Sequence, residues 1–560
     1  MRYFLVLFRL TLQRDAKFSL ENKFIIFNMD APNNSNVDRI MISNLHKKET
    51  RTNILRCLSH LGFELGTDFK NLKKAPGFVN GFITFDSNEQ ANELFAKLST
   101  KLINGTLKLR SNAATIEMTG PYEATPAPVT APALSGPAPY QDMPYDEQLV
   151  LKAKTVRKGI RGDIKSAFKK QCPAWLADTE VRTKVYSVPH ITPSPKLTAY
   201  RNKTDLTFGF DDEGKVCVGM TRPYAAGNII DAVSKFKLMP VKAVEVADEV
   251  AKYFSDKQWT DVYSKKTQEG YWRALRLRLP ENGVAIFTIE THDGPADRVI
   301  ELAKHLDAFA EQKWGEKCGF WHKINRTAND ALENHDSDWN HLFGPKTTTE
   351  IVLGTKFTIS PLSFFQCNTS ATEKLFSRVT EIVESYKPTI AIDCCCGAGA
   401  IGCILAKNLS QSIRVVGVDI VPSAIEDAVA NAALNDLSDR TTWLCGPAET
   451  KLPEVFSACA ITPEDNVVAV LDPPRAGLHP KAIRMLRENE AINKIVYVSC
   501  SPNSLGRDLL KLLEESEKSR AFKIIEKEAF DLFPDTVHVE AIVVLERASA
   551  EELVMQDTPK

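Results

Sequence analysis

The chain has 560 residues, 43% of them hydrophobic and 25% charged, which is enough apolar material for several packed domains and excludes a largely disordered protein. Seventy basic residues against 71 acidic ones leave a formal net charge of −1, so a nucleic-acid surface would have to be a local patch. The 12 cysteines include no Cys-x-x-Cys pair, which argues against a zinc ribbon, a cysteine-bound iron–sulfur cluster and a disulfide framework, and no apolar run reaches the roughly 18 residues of a membrane span.

Residues 1–35 read as an N-terminal extension. Tyr3 to Phe8 is apolar, Arg2, Arg9 and Arg14 are basic, and no acid precedes Asp15. This composition suits either a mitochondrial targeting segment or a stretch upstream of a start at Met29. Over 36–115 the pattern turns β-α-β: a strand at Ile40-Met41-Ile42, a helix from Arg51 to Leu61, a strand at Gly81–Phe85, a helix from Asn88 to Leu98 and a closing strand at Leu107–Leu109. This resembles a βαββαβ RNA-recognition-motif (RRM) domain, with Ile40–Leu45 as its short strand motif and Phe78–Phe85 as its longer one. Such domains hold bases on aromatic rings of the central strands. Here Met41 and Asn80 stand at two of those positions and only Phe82 is aromatic. The domain's partner, RNA or protein, stays open.

The proline-rich stretch 116–148 reads as a semi-rigid linker. A mixed α/β domain is expected over 149–345. It opens with eight Lys/Arg and a single acid, Asp163, between Leu151 and Lys170, which suits a solvated helix face or a phosphate-facing stripe. Leu275-Arg276-Leu277-Arg278-Leu279 alternates, so both arginines share a strand face that could meet phosphate or ordinary ion-pair partners. His322 and His335 have no metal-ligand spacing.

Over 346–548 the pattern becomes that of a nucleotide-binding α/β sheet, followed by a tail at 549–560. A buried strand, Ile390–Asp393, runs into the small-residue loop Cys394–Ala400 and then a helix from Ile401. The next strand ends at Asp419, where an acid can accept hydrogen bonds from ribose hydroxyls. A third glycine at the dinucleotide spacing is missing, which favours a single nucleoside. Val467–Leu471 ends in Asp472-Pro473-Pro474-Arg475, and Ile495–Val498 ends in Ser499-Cys500-Ser501-Pro502. Glu540 opens the last apolar strand. A thiol and a carboxylate at strand edges supply a nucleophile and a proton acceptor.

Five motifs, Phe364–Asn368, Asp393–Gly399, Asp472–Gly477, Ser499–Pro502 and the Phe-Pro…His-Val-Glu ending, resemble in content and order those of the S-adenosylmethionine-dependent RNA uracil-C5 methyltransferases. Ser501 replaces the family's usual Asn. The resemblance implies a Rossmann-like class I methyltransferase sheet at the C-terminus, following a mixed α/β RNA-binding middle domain and the RRM-like domain. It implies Cys500 as nucleophile and Glu540 as base, with Gln366, Asp393, Cys395, Gly397, Gly399, Asp419 and Asp472 around S-adenosylmethionine and the uracil. The division of Gln366 and Asp472 between cofactor and base stays open. The added N-terminal domain is similar to the animal branch acting on the T-loop uridine of tRNA. Methylation of another RNA, or a tRNA-binding or folding role, is the alternative. A monomer with no metal, iron–sulfur cluster or membrane partner is expected, in the cytoplasm or nucleus, or in mitochondria if residues 1–27 are a targeting segment.

Overall fold

The computed structural model describes residues 39–43, 51–60, 63, 69, 71–73, 81–85, 90, 115–119 and 136–557, the last span without 223–227, 266, 328–337, 463–464 and 515–518. The chain divides into two compact units, Met1–Ala127 and Pro128–Lys560.

The first unit holds a four-stranded antiparallel sheet in the order Asn71–Lys73, Gly81–Thr84, Arg39–Ser43, Thr115–Thr119. Helix Arg51–His60 buries Ile54 and Leu58, and Leu72, Ile83 and Phe85 are buried as well. The two expected strands and the first helix are present. The edge strand is Thr115–Thr119, where Ile116 pairs with Ile42 and Met118 with Ile40, so this sheet runs past the boundary expected at 115. The strand expected at Leu107–Leu109 lies outside the described residues, as does the helix expected at Asn88–Leu98 apart from Gln90. Residues 1–35 lie outside them too.

Among the described residues the second unit contains two large sheets of different character and two two-stranded ones. The first has seven strands, in the order Trp339–Phe343, Gly319–Ile324, Ile286–Thr291, Trp272–Arg278, Lys203–Phe210, Val216–Thr221, Ile230–Ala232. Alternation along its strands turns Phe208, Leu275, Leu277, Phe287 and Ile289 into one core with helices Val241–Lys257 and Asp297–Trp314. The two arginines expected on one strand face have partners within the protein. Arg276 is paired with Glu290 at 2.6 Å and with Asp205 at 3.3 Å, and buried Arg278 donates to Ser363 O at 2.7 Å. His322 is buried against Thr291 and burial lowers its pKa to about 4, as befits a core filler.

The second sheet carries the site. Its strands are β1 (Ile390–Cys394), β2 (Arg414–Asp419), β3 (Thr441–Cys445), β4 (Val467–Leu471), β5 (Ile492–Ser499), β6 (Phe522–Phe530) and β7 (Glu540–Arg547). The order is β3-β2-β1-β4-β5-β7-β6, with His190–Thr192 added outside β6. The first five run parallel to one another, and β7 inserts antiparallel between β5 and β6. These strands are apolar on both faces because helices cover both. Ile390, Ile392, Val467, Ala469 and Tyr497 face one core, and Ala391, Val468, Val470, Val496 and Val498 face the other.

Two expected boundaries change. Residues 145–192 pack on this second sheet and not in the middle domain: Val156, Ile160, Ile164, Trp175 and Leu176 share a core with β1, β4 and β5. The proline-rich stretch is not a spacer throughout, because Ala138 and Tyr140 are buried and Tyr140 N donates to Asp535 O at 2.9 Å. The apolar residues among its last prolines have a surface to cover. No helix among the described residues is long and apolar enough to cross a membrane.

Candidate active site

Parallel strands deliver their C-terminal ends to one edge of the sheet, and ligands of open α/β sheets bind there. Asp393 and Cys394 end β1, Asp419 ends β2, Asp472 follows β4 and Cys500 follows β5. The register aligns them: Cys394 pairs with Val418 on one side and Leu471 on the other. Strand β7 runs the opposite way, so it brings its first residue, Glu540, to the same edge. Ser499 pairs with Ala541, which puts Cys500 opposite Glu540 on the next rung. The sequence-predicted nucleophile and base thus meet.

Cys500 sits in a tight turn. Ser501 N donates to Ser499 Oγ at 3.1 Å, and helix Pro502–Leu512 starts directly afterwards with Pro502 in its first turn, where a missing N–H costs nothing. The positive end of that helix lies beside the thiol. Burial pushes the Cys500 thiol up to about 11, Glu540 and Asp472 add to the rise, and Arg475 opposes it. Glu540 is 2% exposed and burial lifts it well above the usual carboxylate range, Asp472 adding and Arg475 opposing. Asp472, half-buried, is pushed up to about 7 by burial.

The loop after β1 is built for close approach. Cys395, Gly397 and Gly399 all have positive φ, at 65°, 53° and 77°. Cys395 N and Cys396 N both donate to Val418 O, and Gly397 N donates to Asp419 Oδ2 at 2.9 Å. Nothing lies within 4 Å of a Cβ built on Gly397, whereas Gly399, Gly402 and Gly417 are each packed against the Trp443 ring. Gly397 therefore faces open space, and Gly399 serves the packing of Trp443. Asp393 is fully buried, burial lifts it to about 7, its Oδ2 accepts Gly402 N at 2.8 Å, and its Oδ1 has no hydrogen-bond partner among the described residues.

These residues fit a cationic nucleoside. Asp393, Asp472 and Glu540 converge on poorly solvated ground where negative charge is costly, and a positive ligand relieves that cost. Asp419 uses one N–H bond on each oxygen, to Gly397 and Val421, and each oxygen retains an acceptor position. Beyond it, Ile420 and Val421 are exposed apolar residues. Gln366 is half-buried with no side-chain hydrogen bond among the described residues, and Phe364 beside it is 71% exposed. Asn368, from the same motif, caps helix Thr369–Ser385 and ties it to Leu532 O at 2.9 Å. Among the described residues no group of three or more His, Cys, Asp or Glu is placed to hold a metal ion.

Sequence reasoning missed two groups. Arg475 was visible only as part of a motif, yet its guanidinium acts on Cys500, Glu540 and His538 together. Asp508 is fully buried, accepts Tyr497 OH at 2.8 Å and Leu478 N at 2.7 Å, and so fastens the loop after Asp472 to the helix after Cys500. A lone acid among Leu505, Leu509 and Leu512 was its only signal in the sequence.

The strand order and the edge that gathers these groups define a class I, Rossmann-like methyltransferase. Residues 354–548 match the family model described as tRNA (Uracil-5-)-methyltransferase. The chain is 30% identical over 427 residues to the Homo sapiens tRNA (uracil-5-)-methyltransferase homolog A, covering 73% of this chain and 66% of that one, so it spans about two thirds of that relative. It is 32% identical over 418 residues to an uncharacterized RNA methyltransferase of Clostridium tetani, covering 74% and 82%. The solved Pyrococcus abyssi tRNA (uracil-54, C5)-methyltransferase, in complex with S-adenosyl-L-homocysteine, superposes with a TM-score of 0.55 at 23% identity over 77% of this chain and 88% of that one, which shows a shared fold. This chain belongs to the tRNA (uracil-5-)-methyltransferase family.

Proposed function

We propose that this protein transfers a methyl group from S-adenosylmethionine to C5 of a T-loop uridine in tRNA, through a covalent bond between Cys500 Sγ and C6 of the uracil. The observation that carries the reading is the juxtaposition of Cys500 and Glu540 at the edge where Asp393, Asp419 and the Gly397 loop form a nucleoside site. Family membership supports uracil and tRNA, and the uracil-54 specificity of the Pyrococcus abyssi enzyme supports the T-loop.

Uracil C5 is a weak nucleophile, and the residues present overcome this in steps. Cys500, as thiolate, bonds to C6, and the displaced π pair is held as a C4–C5 enolate. Arg475 favours the thiolate, as does the start of helix Pro502–Leu512. S-adenosylmethionine, when bound, supplies an electrophilic methyl group and leaves as S-adenosylhomocysteine. Asp419 would hold the ribose of the nucleoside and the Asp393–Gly399 loop would lie under the methionine part, with Gln366 and Asp472 shared between the cofactor and the reacting face of the uracil. Glu540 takes the C5 proton, and its raised basicity suits removal of a proton from carbon. Loss of that proton re-forms the C5–C6 double bond and expels Cys500 as thiolate. The uridine must leave its loop to reach this edge, at a cost of a few kcal/mol.

The N-terminal strand order supports an RRM-like domain over residues 39–119. The test of the whole reading is nucleoside analysis of an unmodified tRNA transcript after incubation with the protein and S-adenosylmethionine. The expected product is one 5-methyluridine per tRNA, abolished by a uridine-to-cytidine change at the T-loop position. Methyl incorporation that survives this change would contradict it.

A further inference from the structure

Cys500 and Glu540 reach the site on separate segments, and a single helix outside the family-matched residues 354–548 grips both. Helix Tyr145–Ala167 crosses helix Pro502–Leu512 glycine on glycine. A Cβ on Gly159 would stand 2.1 Å from Pro502 O, and one on Gly506 would stand 2.3 Å from Gly159 O. The backbones are in contact at the start of the helix that follows Cys500.

The same helix reaches the other loop with two polar side chains. Lys152 Nζ donates to Asp531 Oδ1 at 2.6 Å and to Phe533 O at 2.8 Å, and the Lys152 and Asp531 side chains are fully buried. Gln148 Nε2 donates to Asp535 Oδ1 at 3.0 Å, and its Oε1 accepts Asp535 N at 2.8 Å. Residues 148, 152 and 159 fall on one helical face, the buried one. The loop they hold, Asp531–Asp535, leads into β7 and Glu540. A buried Lys–Asp pair is a poor source of stability, since apolar residues of equal volume hold a core as well. What a charge-assisted bond adds is fixed geometry.

We propose that helix Tyr145–Ala167 gauges the separation of nucleophile and base, and that Lys152 is a positioning residue that holds Glu540 against the site. The inference rests on the uracil-C5 reading above. The two groups act in different steps, the thiol before methyl transfer and the carboxylate after it. Loss of the Lys152 bond loosens the Glu540 loop, which Gln148 and Asn368 still hold in part, and leaves the glycine crossing beside Cys500 in place. Attack on C6 then persists while proton removal slows.

The experiment compares full-length wild type, Lys152→Met and Lys152→Arg on ordinary tRNA and on tRNA carrying 5-fluorouridine, with S-adenosylmethionine, following turnover and denaturing-gel adducts. Lys152→Met should slow turnover about tenfold or more, trap 5-fluorouridine RNA within about twofold of wild type, and accumulate an adduct on ordinary uridine that wild type lacks. Lys152→Arg should restore part of the turnover. Asp531→Asn, close in volume, carries the same prediction if thermal melting shows that Lys152→Met does not fold. Equal losses of trapping and turnover, or no change in either, would overturn the positioning role. Failure of wild type itself to trap 5-fluorouridine RNA would count against the uracil-C5 reading instead.

Discussion

Ser499 on β5 stands opposite Ala541 on β7, and this one antiparallel pairing decides what the edge of the sheet can do. An all-parallel sheet would send the start of its last strand to the far edge. The reversal of β7 returns Glu540 to the edge where β5 releases Cys500.

The thiol's environment fixes its pH response. With Cys500 pushed up to about 11, the thiolate fraction of the free protein should rise about tenfold per pH unit between pH 7 and 9. The alkylation rate by iodoacetamide, taken as the difference between wild type and Cys500→Ala, should follow that slope. Arg475→Gln should run parallel and lower by about threefold or more, because it removes the cation that favours the thiolate. A plateau at pH 8 would show a thiol already activated in the free protein.

Asp393 links the site to stability. Its folded-state pKa of about 7 lies above its ordinary 3.8, so the folded state favours the protonated form. That contribution is fully present below pH 4 and is lost as pH rises through 7. Asp393→Asn keeps an oxygen for Gly402 N and removes the ionisation. It should match wild type near pH 4 and melt at a higher temperature at pH 8, by an amount equivalent to a few kcal/mol. The same variant should bind S-adenosylmethionine more weakly at pH 8.

Trp443 sets a steric limit beneath the cofactor loop. A Cβ on Gly417 would lie 2.2 Å from Cε3 of its ring. Gly417→Ala should cost about 1–3 kcal/mol in denaturant unfolding. Adding Trp443→Phe should recover part of that loss, since the two residues touch and their effects should couple. Additive losses would place the strain elsewhere.

Much of this was legible in the sequence. The strand ends Asp393, Asp419, Leu471 and Ser499 could be read from apolar runs that stop at polar or turn residues, because buried strands on both faces are continuous in hydrophobicity. The pairing of β5 with β7 could not, since period-two patterns do not say which strand is the neighbour. Nor could the placement of helix Tyr145–Ala167 on the catalytic sheet. Its sequence reads as a basic helix that opens the middle domain, and Lys152 looks like one more cation until its partner, 379 residues away, is known. Arg276 and Arg278 were ambiguous for the same reason: phosphate and ion-pair partners both fitted the pattern, and Glu290, Asp205 and a backbone carbonyl answer them in the fold.

The outer face of that helix keeps its charge. Lys154, Lys158, Arg161 and Lys165 recur at helical spacing, are exposed or half-buried, and form no ion pair among the described residues. Each phosphate contact contributes about −0.7 to −0.9 to the slope of log affinity against log salt. Replacing all four by Gln should flatten the tRNA-binding slope by about three to three and a half between 50 and 200 mM salt, as measured by filter binding. An unchanged slope would make the stripe a solvated face and nothing more.

The proposed reaction turns on covalent attack by Cys500 on a tRNA uridine. It is probed at that step by a denaturing gel of the full-length protein with S-adenosylmethionine and tRNA carrying 5-fluorouridine, run beside Cys500→Ala. Fluorine cannot leave as the C5 proton does, so a retarded protein–RNA band is expected for wild type and none for the variant. A band that persists in Cys500→Ala, or its absence from wild type that still binds tRNA, would contradict attack by this thiol.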